Sequence, residues 1–481
     1  MQKNQQQISN FNRSDLIREC TQCKRVDVNY RNSLCVREGA AFSACPTIGQ
    51  PNIYEWMKNI SDNKRLSDLS IPGTHNTMAS GANIPPIYNL RFVETQTLSL
   101  WNQMAAGIRF LDIRLRYENG SLACYHGIVW LGKYFGDVLE LIRDYLVSYP
   151  SETIYMRIAQ ENSNAPVADF VSSVRSYTDS YANGLRYTGG TNNQNPTLAQ
   201  TRGKFVILLD ISGYNSSTHG STGINYRDSN RQDAYLTIGD AKVAAVLNHL
   251  QAANNRGSSN TTIYINYLSA NLGEYGDLAG TPFAIAKFVN PRIYNYLINQ
   301  PFNYVGIVVA DYPGGGLIRE TIYKNFGLPF SGYYQIVTAL NNSSVIDMDR
   351  EGCYQSGQDC NVHLWTNNRG ANQLWSLSYD PSKQAYLIIS SQKTDSVLAW
   401  NVPSNNRNVI VTRFNPTYDE HYWIIERFQN GYIFKNKKDP NLVLDVVNSA
   451  EGNGTNIVVH DRHPLNTTYR NQTFLVRPNL V

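Results

Sequence analysis

The residues best suited to chemistry are two histidines, an aspartate and an arginine that lie in one short stretch of the chain. They occur in the motifs SIPGTHNT (70–77), GIRFLDIRLR (107–116) and CYHG (124–127). Breaking a phosphodiester that has a neighbouring hydroxyl needs a base for that hydroxyl, an acid for the leaving oxygen and a cation for the phosphorane charge. His75 and His126 can fill both proton roles near neutral pH, and Arg114 can bind phosphate oxygens.

These motifs need elements that bring them together, and the sequence alternates strands with helices. Helical patterns at Tyr134–Ser148 and Asp240–Ala252 separate apolar runs typical of buried parallel strands. Because the carboxyl ends of parallel barrel strands share one face, residues distant in sequence can converge there. We predict an α/β (TIM-type) barrel whose strands include the apolar runs Leu69–Ile71, Ile108–Leu115, Thr153–Ile158, Phe205–Leu209, Ile263–Tyr267 and Val305–Val309.

Each of these residues also has a purely structural interpretation. An isolated histidine is more often a hydrogen-bonded polar residue than a catalyst. Asp112 and Arg114 project to the same side of a strand and could form only a structural ion pair. Trp130, in HGIVWLGKYF, could be a rim aromatic that dips into a membrane or a residue buried at a strand-to-helix junction, and we predict burial.

The ordered set S-I-P-G-T-H, G-I-R-x-x-D-I-R, H-G and P-S-E-T-I resembles the catalytic X region of the phosphatidylinositol-specific phospholipases C, most closely the bacterial single-domain type. The resemblance spans roughly residues 55–325 and implies a (β/α) barrel that cleaves phosphatidylinositol through a cyclic inositol phosphate. It implies His75 as general base, His126 as general acid and Arg114 as the phosphate-binding group. Asp112 would orient the site, and Asp311, in VGIVVADY (305–312), would hold the base histidine.

Two positions depart from the bacterial pattern. Asn76 stands where those lipases have an aspartate, and it can orient a neighbour but cannot stabilise a protonated imidazole by charge. Ala159 and Gln160 stand where they have a lysine pair that helps to hold the headgroup and phosphate. The resemblance therefore leaves inositol specificity open.

A calcium site is the alternative to a metal-free mechanism. Asparagine at position 76 is similar to the calcium-dependent relatives, in which it ligates the metal, and Asn76, Asp112 and Glu161 could form part of an oxygen shell. Arg114 argues against this because a guanidinium and a calcium ion would compete for one place. We therefore predict no metal ligands and no cofactor.

The charge balance disfavours nucleic acid as a partner. The 481 residues contain 42 Lys and Arg against 38 Asp and Glu, a formal charge of +4, with no basic stripe. Charged residues make up only 17% of the chain, and 32 tyrosines supply polarity without charge, which favours neutral ligands. The pattern shows neither a signal peptide nor a transmembrane segment. We expect synthesis as a cytoplasmic or intracellular deposit, non-classical release and action outside the cell.

The cysteines cluster near the start of the chain. Cys20, Cys23, Cys35 and Cys45 lie in a polar N-terminal extension, residues 1–50, and could form disulfides, bind zinc or remain free thiols. Cys353 and Cys360 enclose a short loop and could form a local disulfide.

The last part of the chain is an internal repeat. The closing motifs NQLW (372–375), EHYW (420–423) and NQTF (471–474) each end a unit of short apolar runs separated by turns. Three units that cannot bury their apolar faces alone imply a threefold pseudo-symmetric domain. The repeats resemble the ricin-type β-trefoil lectins, whose units end in a Gln-x-Trp signature, and the resemblance covers residues 333–477.

A sugar site of that family needs a carboxylate, an aromatic ring and a side-chain amide. The second repeat has Ala399 in place of the carboxylate and His421 in place of the glutamine, so we predict that it is structural. Trp375, Trp423 and Phe474 are predicted to fill the core. The predicted sugar-binding residues are Asp347, His363, Trp365, Asn372 and Gln373 in the first repeat and Asp445, His460, Asn471 and Gln472 in the third.

The combined prediction is a multidomain protein with an α/β barrel followed by an all-β trefoil. Its parts are the extension (1–50), the barrel (51–328) and the lectin-like domain (329–481). The predicted function is cleavage of phosphatidylinositol or glycosylphosphatidylinositol lipids at a membrane surface, targeted by cell-surface glycans. The alternatives are a toxin-like carbohydrate-binding protein with an inactive barrel and a phosphodiesterase for another lipid headgroup.

Overall fold

The computed structural model of the chain describes residues 53–81, 83–84, 90–219, 221–257, 259–271, 280–299, 302–326, 333–351, 353, 359–380, 382–402, 406–428, 431–464 and 470–479. The chain divides into two compact units between Asn325 and Phe326. The predicted extension with its four cysteines and the predicted boundary between residues 328 and 329 lie outside the described residues.

The first unit is built on parallel strands that are buried along most of their length, as their apolar sequences require. Its strands are β1 (Ile71–Thr74), β2 (Phe110–Glu118), β3 (Ser121–His126), β4 (Val129–Tyr134), β5 (Thr153–Gln160), β6 (Lys204–Asp210), β7 (Ile224–Asn225), β8 (Asn230–Gln232), β9 (Tyr264–Tyr267) and β10 (Ile307–Ala310). All six predicted apolar runs overlap these strands.

Eight of these strands form one parallel sheet in the order β7-β6-β5-β2-β1-β10-β9-β8. The first and last strands of the unit, β1 and β10, pair directly, with Thr74 opposite Ala310. The sheet therefore curves round in sequence order as a barrel, and no pairing joins β7 to β8 within the described residues. The antiparallel strands β3 and β4 extend from β2 as a hairpin.

Helices surround this sheet, and the longer ones show the expected amphipathic spacing. In α3 (Phe135–Ser148), Val138, Ile142 and Leu146 recur every fourth residue and are buried. Asp137 caps its start by accepting a hydrogen bond from the backbone N–H of Tyr134. The helices are α1 (Leu90–Val93), α2 (Leu100–Ala105), α3 (Phe135–Ser148), α4 (Val167–Tyr181), α5 (Leu198–Thr201), α6 (Gly239–Asn254), α7 (Pro282–Asn299) and α8 (Gly315–Tyr323).

One fully buried ion pair joins the residue just before β2 to the residue just before β5. Arg109 and Glu152 are both inaccessible to solvent, with their charged atoms 2.8 Å apart. Arg109 also donates to the carbonyls of Met104, Ile108 and Tyr54 and to the Tyr145 hydroxyl. Every guanidinium nitrogen thus has a partner, which is the condition under which a buried charge is tolerated.

The second unit contains only strands and short 3-10 turns within the described residues. Its strands are β11 (Tyr333–Thr338), β12 (Val345–Met348), β13 (Cys360–Trp365), β14 (Trp375–Asp380), β15 (Ala385–Ser390), β16 (Ser396–Trp400), β17 (Val409–Arg413), β18 (Tyr422–Phe428), β19 (Gly431–Asn436), β20 (Leu442–Val446), β21 (Thr455–Asp461) and β22 (Phe474–Asn479).

These twelve strands repeat one pairing pattern three times. Within each group of four, the first strand pairs with the fourth (β11–β14, β15–β18, β19–β22) and the second with the third. The groups join through β14–β15, β18–β19 and β22–β11. Trp375, Trp423 and Phe474 are fully buried, which confirms them as core residues. The unit is all-β, as predicted.

Three asparagines at equivalent positions form a closed ring of hydrogen bonds, here called the Asn ring. Asn361 Nδ2 donates to Asn456 Oδ1 at 3.0 Å, Asn456 Nδ2 to Asn408 Oδ1 at 2.6 Å, and Asn408 Nδ2 to Asn361 Oδ1 at 2.9 Å. Each repeat contributes one member. The ring therefore ties the three repeats to one another with polar contacts.

The predicted local disulfide between Cys353 and Cys360 is present. None of the helices in the described ranges is both long enough and apolar enough to cross a membrane.

Candidate functional site

The predicted catalytic residues meet at the carboxyl ends of the barrel strands. His75 follows β1 directly and Asp311 follows β10 directly, and these two strands are paired neighbours. Asp112 and Arg114 lie in β2, on the other side of β1. His126 ends β3. The sequence could place these residues together because His75, Asp311 and His126 lie at strand ends, while Asp112 and Arg114 follow the part of β2 that pairs with β1.

His75 is 3% exposed and is held at both ring nitrogens. Its Nδ1 lies 2.7 Å from Asp311 Oδ1, and its Nε2 lies 2.8 Å from a guanidinium nitrogen of Arg114. Since arginine can only donate, Nε2 is the acceptor and Nδ1 carries the proton toward Asp311. This tautomer is the one that a general base acting through Nε2 requires.

Asp112 lies between two arginines. Its Oδ1 accepts from Arg157 at 2.6 Å, and its Oδ2 accepts from Arg114 at 3.3 Å and from the backbone N–H of Asn76 at 3.1 Å. Burial alone would raise the pKa of Asp112, but Arg157 and Arg114 hold that pKa well below its ordinary value. Asp112 is therefore a permanently charged group that orients Arg114.

Arg157 is the residue that sequence reasoning missed at this site. It lies opposite Asp112 in the β2–β5 register and also binds Asp210 Oδ2 at 2.5 Å. A charged side chain in the otherwise apolar run TIYMRI needs a partner when the strand is buried, and that requirement was the available signal.

His126 is held from the backbone. Its Nδ1 lies 2.8 Å from the carbonyl oxygen of Val93, which fixes Nε2 as the nitrogen free to exchange a proton. Burial, followed by the positive charge of Arg114, lowers the pKa of His126 to about 4. In the free protein this imidazole is neutral near pH 7, and an anionic phosphate bound beside it would favour its protonation.

Asn76 combines backbone strain with an unsatisfied amide. Its φ of +42° is in the left-handed region, which asparagine tolerates better than most residues. The residue is 3% exposed, and neither polar atom of its side chain has a hydrogen-bond partner among the described residues. Buried polar atoms in that state are the exception in folded proteins and point to a ligand or a water molecule.

Glu161 closes the space on the far side of Arg114. Its Oε2 lies 3.8 Å from Arg114 Nη1, and its Oε1 accepts from the backbone N–H of Gly127 at 2.9 Å. Gly127 has a φ of +55°, a conformation that favours glycine and explains the H-G pair. The guanidinium thus occupies the position between Asp112 and Glu161 that a cation would need.

Tyrosine rings from the part of the chain that carries β7, β8 and β9 lie beside His75. Tyr235 and Tyr267 approach His75 edge-on, with ring centroids 6.1 and 6.2 Å away. The Tyr267 hydroxyl is hydrogen-bonded to that of Tyr226, whose ring lies 4.9 Å from the Arg157 guanidinium carbon. A polyhydroxylated headgroup could bind against this wall through hydroxyl and ring contacts.

The prediction that Trp130 is buried is wrong. Trp130 is 40% exposed, and Ile128 and Tyr134 in the same hairpin are 76% and 48% exposed. The segment after His126 is a strand, β4, in which Val129 and Leu131 point inward and Trp130 therefore points outward. The β3–β4 hairpin thus presents an exposed apolar surface immediately beside His126.

In the second unit, the first repeat brings together all five predicted residues. Asp347 is buried and accepts from Asn372 at Oδ1 (2.8 Å) and from Gln373 at Oδ2 (2.7 Å). His363 stacks on Trp365 at 5.0 Å, and Trp365 is 36% exposed. Gln373 is fully buried, so it holds the carboxylate rather than contacting a ligand.

The third repeat has the same arrangement with different rings. Asp445 accepts from Asn471 at 3.0 Å and from Gln472 at 2.8 Å, and His460 is the exposed ring beside it. Gln472 is 2% exposed and has the same holding role as Gln373.

The second repeat lacks the carboxylate but keeps the framework. His421 Nδ1 accepts from the backbone N–H of Asn415 at 3.2 Å. In the other two repeats, Gln373 and Gln472 accept from the backbone at the equivalent position. An imidazole nitrogen therefore takes the place of the glutamine oxygen, in line with a structural role.

Comparison with known proteins gives a family match within the first unit. Residues 69–209 match the family described as phosphatidylinositol-specific phospholipase C, X domain. The chain is 32% identical over 282 residues to the 1-phosphatidylinositol phosphodiesterase of Staphylococcus aureus (strain Newman), covering 54% of this chain and 88% of that protein. A solved structure of the S. aureus phosphatidylinositol-specific phospholipase C covers 58% of this chain and 99% of that one, at 28% identity and a TM-score of 0.50.

A further similarity is to the main hemagglutinin component type C of Clostridium botulinum C phage. The identity is 38% over 85 residues, which are 17% of this chain and 29% of that protein.

Proposed function

The chain belongs to the phosphatidylinositol-specific phospholipase C family, and on that premise we propose that it cleaves phosphatidylinositol or glycosylphosphatidylinositol lipids to a cyclic inositol phosphate and diacylglycerol. The observation that carries the proposal is the pair of histidines around one arginine, with His75 fixed in the base tautomer by Asp311 and Arg114.

In the proposed reaction the 2-hydroxyl of the inositol attacks the phosphorus. His75 Nε2 takes the hydroxyl proton, the new P–O bond closes the cyclic phosphate, and the P–O bond to glycerol breaks. His126, protonated in the complex, gives its proton to the departing oxygen. The Arg114 guanidinium binds the phosphate instead of His75 Nε2. This nitrogen is then free to accept the hydroxyl proton. No water or redox partner is consumed.

The proposed site works without calcium because Arg114 occupies the space between Asp112 and Glu161. We expect full release of cyclic inositol phosphate from phosphatidylinositol vesicles in the presence of a calcium chelator, and little release of headgroup from phosphatidylcholine vesicles. Headgroup release from vesicles of each lipid, followed with and without chelator, measures this. Loss of activity on chelation would reject the metal-free site, and equal cleavage of both lipids would reject inositol specificity. Inactivity under all conditions would favour the alternative of a carbohydrate-binding protein with an inactive barrel.

The exposed β3–β4 hairpin is proposed to face the lipid surface. We expect Trp130→Ala to weaken binding to phosphatidylinositol vesicles roughly fivefold, because an aromatic ring of this exposure gains about 1 kcal/mol when it enters the bilayer interface. Cleavage of a monomeric, water-soluble substrate should be unchanged. Vesicle sedimentation together with both kinetic assays measures this.

The matched control is Val147→Ala, near the end of α3, where the side chain is 67% exposed. That helix leads back to the start of β5 and so ends at the opposite face of the barrel. The control should bind vesicles like the wild type. If the Trp130 variant binds vesicles like the wild type, or if both variants lose the same amount of binding, the hairpin does not contact the lipid.

The second unit is proposed to be a ricin-type β-trefoil that binds cell-surface glycans and holds the enzyme near its substrate. The threefold strand pairing and the similarity to the hemagglutinin component support this. In the first repeat, a buried carboxylate beside the exposed Trp365 ring offers both contacts that a sugar needs.

We expect Asp347→Asn to weaken glycan binding by the full chain roughly ten- to a hundredfold, because a charge-assisted hydrogen bond to a sugar hydroxyl is lost. Asparagine can still accept a bond from Gln373, so folding should survive. Binding to an array of neutral glycans measures this. The control is Asp419→Asn in the second repeat, where the side chain is 45% exposed. Unchanged binding by the Asp347 variant would contradict the assignment.

A further inference from the structure

The third repeat brings two imidazoles to a buried carboxylate. One ligand atom from each of Asp445, His460 and His463 lies within 4.8 Å of the others. His460 lies near the end of β21 and His463 follows in the turn, while Asp445 lies in the paired strand β20. Asp445 is 4% exposed, and His460 is open to solvent.

The carboxylate of Asp445 in the third repeat accepts its hydrogen bonds differently from the equivalent Asp347 in the first repeat. In the first repeat each oxygen of Asp347 accepts one amide, from Asn372 and from Gln373. In the third repeat both amides bind the same oxygen of Asp445, Oδ2. Neither amide bond reaches Asp445 Oδ1, which leaves that oxygen as a possible ligand atom.

The orientation of His460 also suits a ligand. Its Nδ1 lies 3.1 Å from the backbone carbonyl oxygen of Asp461, so Nδ1 carries the proton and Nε2 carries the lone pair. Histidine ligands of metals usually donate their second N–H to a carbonyl or carboxylate in this way. The same carbonyl accepts from Gln472, which also holds Asp445.

We propose that Asp445, His460 and His463 bind a divalent transition-metal ion, with Zn²⁺ as the best match. Two imidazoles and one carboxylate are a common protein ligand set for this ion, and they leave a fourth tetrahedral position for water or another ligand. Ligand atoms around tetrahedral zinc lie roughly 3.3 Å apart. The three ligand atoms lie within 4.8 Å of one another, so binding the ion requires the side chains to move closer together.

The three repeats provide an internal comparison for this site. The backbone N–H groups of Asn368, Asn415 and His463 make the same hydrogen bond to the closing residue of their own repeat. Counting back three residues from each of these positions shows that His460 is equivalent to Trp365 in the first repeat and to Thr412 in the second. The pair of histidines therefore occurs in the third repeat alone, and asparagine is compatible with the fold at the position of His463.

This comparison supplies a variant that should fold. In His463→Asn the backbone bond to Gln472 is kept and one metal ligand is lost. We expect the full-length wild-type chain to bind one more equivalent of Zn²⁺ or Co²⁺ than this variant. At this site the affinity of the variant should fall by more than the roughly 10- to 100-fold that loss of an outer-shell partner costs.

The measurement is titration of the metal-free chain by calorimetry, with Co²⁺ absorption as the second readout. A site of nitrogen and oxygen ligands gives d–d bands without thiolate charge transfer, so it is distinguished from any metal bound by cysteines. His460→Trp, which introduces the ring of the first repeat, should also lose the site, and His219→Ala in the barrel unit should keep it. Equal stoichiometry and equal cobalt spectra in wild type and His463→Asn would overturn the proposal.

Discussion

Replacing His75 with alanine is expected to lower kcat/KM for phosphatidylinositol roughly 10²- to 10⁴-fold, the range typical for loss of a general base. His75 is the only imidazole of the site whose Nε2 is kept as an acceptor by an arginine while its Nδ1 is held by a buried carboxylate. Without it, Asp311 and Arg114 remain but nothing accepts the hydroxyl proton. Initial rates of cyclic inositol phosphate release from vesicles measure the loss.

Two further measurements keep this expectation specific. His219→Ala, on an exposed loop of the same unit, should retain wild-type rates. Circular dichroism of the His75 variant should match the wild type, so that lost activity is not lost folding. If the His75 variant released cyclic inositol phosphate as fast as the wild type, the catalytic assignment of the whole site would be rejected.

The pH profile of the wild type tests His126 in the same assay. Because burial and Arg114 lower the pKa of His126 to about 4, the free enzyme holds this acid mostly deprotonated near pH 7. The protonated fraction therefore rises as the pH falls, and kcat/KM should rise with it until the base itself takes up a proton. Bound phosphate favours the protonated imidazole, so the alkaline limb of kcat should lie at higher pH than that of kcat/KM.

Replacing Arg109 with leucine is expected to destabilise the barrel unit by about 3–5 kcal/mol, the usual cost of removing one partner of a buried ion pair. Glu152 would remain buried and lose its bond from Arg109 Nε, while Tyr54 and Met104 would lose a donor. Denaturant unfolding, followed for the transition of the barrel unit, measures the change. A change in the free energy of unfolding below about 1 kcal/mol would contradict this prediction and would mean that the pair contributes little to stability.

Two control variants and a pH dependence make this measurement specific. Arg116→Leu breaks a partly exposed pair with Glu118 at 3.9 Å and should change stability by less than about 1 kcal/mol. The double variant Arg109→Leu, Glu152→Leu should recover much of the loss, because no unpaired charge is left inside. Burial already raises the pKa of Glu152. In the single variant the folded state must keep this carboxyl protonated, so its stability should fall as the pH rises above the ordinary range of glutamate.

Much of the barrel site could be predicted because its residues lie at strand ends or, for Asp112 and Arg114, just beyond the part of β2 that pairs with β1. Periodicity located β1, β2 and β10, and parallel topology then requires His75, Asp112 and Asp311 to share one face. The contacts that set their protonation could not be predicted in this way. Val93 binds His126 from a short helix in a distant loop, and Arg157 reaches Asp112 through a strand register that apolar patterns do not specify.

The second unit shows a different limit. The closing motifs identify three repeats, but they do not identify the Asn ring or the His460–His463 pair. Both features are defined by residues between the motifs and are recognised only when equivalent positions of the three repeats are compared. The prediction for Trp130 failed for a different reason. Its segment is a hairpin strand, in which successive side chains point to opposite faces, so Trp130 points outward.

The Asn ring has a consequence for how the three repeats can diverge. Each amide in it gives one hydrogen bond and receives one, so a change in any member leaves both of its neighbours incomplete. The outer positions carry no such mutual dependence: one repeat holds tryptophan where another holds threonine or histidine. Mutation can therefore specialise each binding surface separately, while the shared centre admits change only in all three copies together.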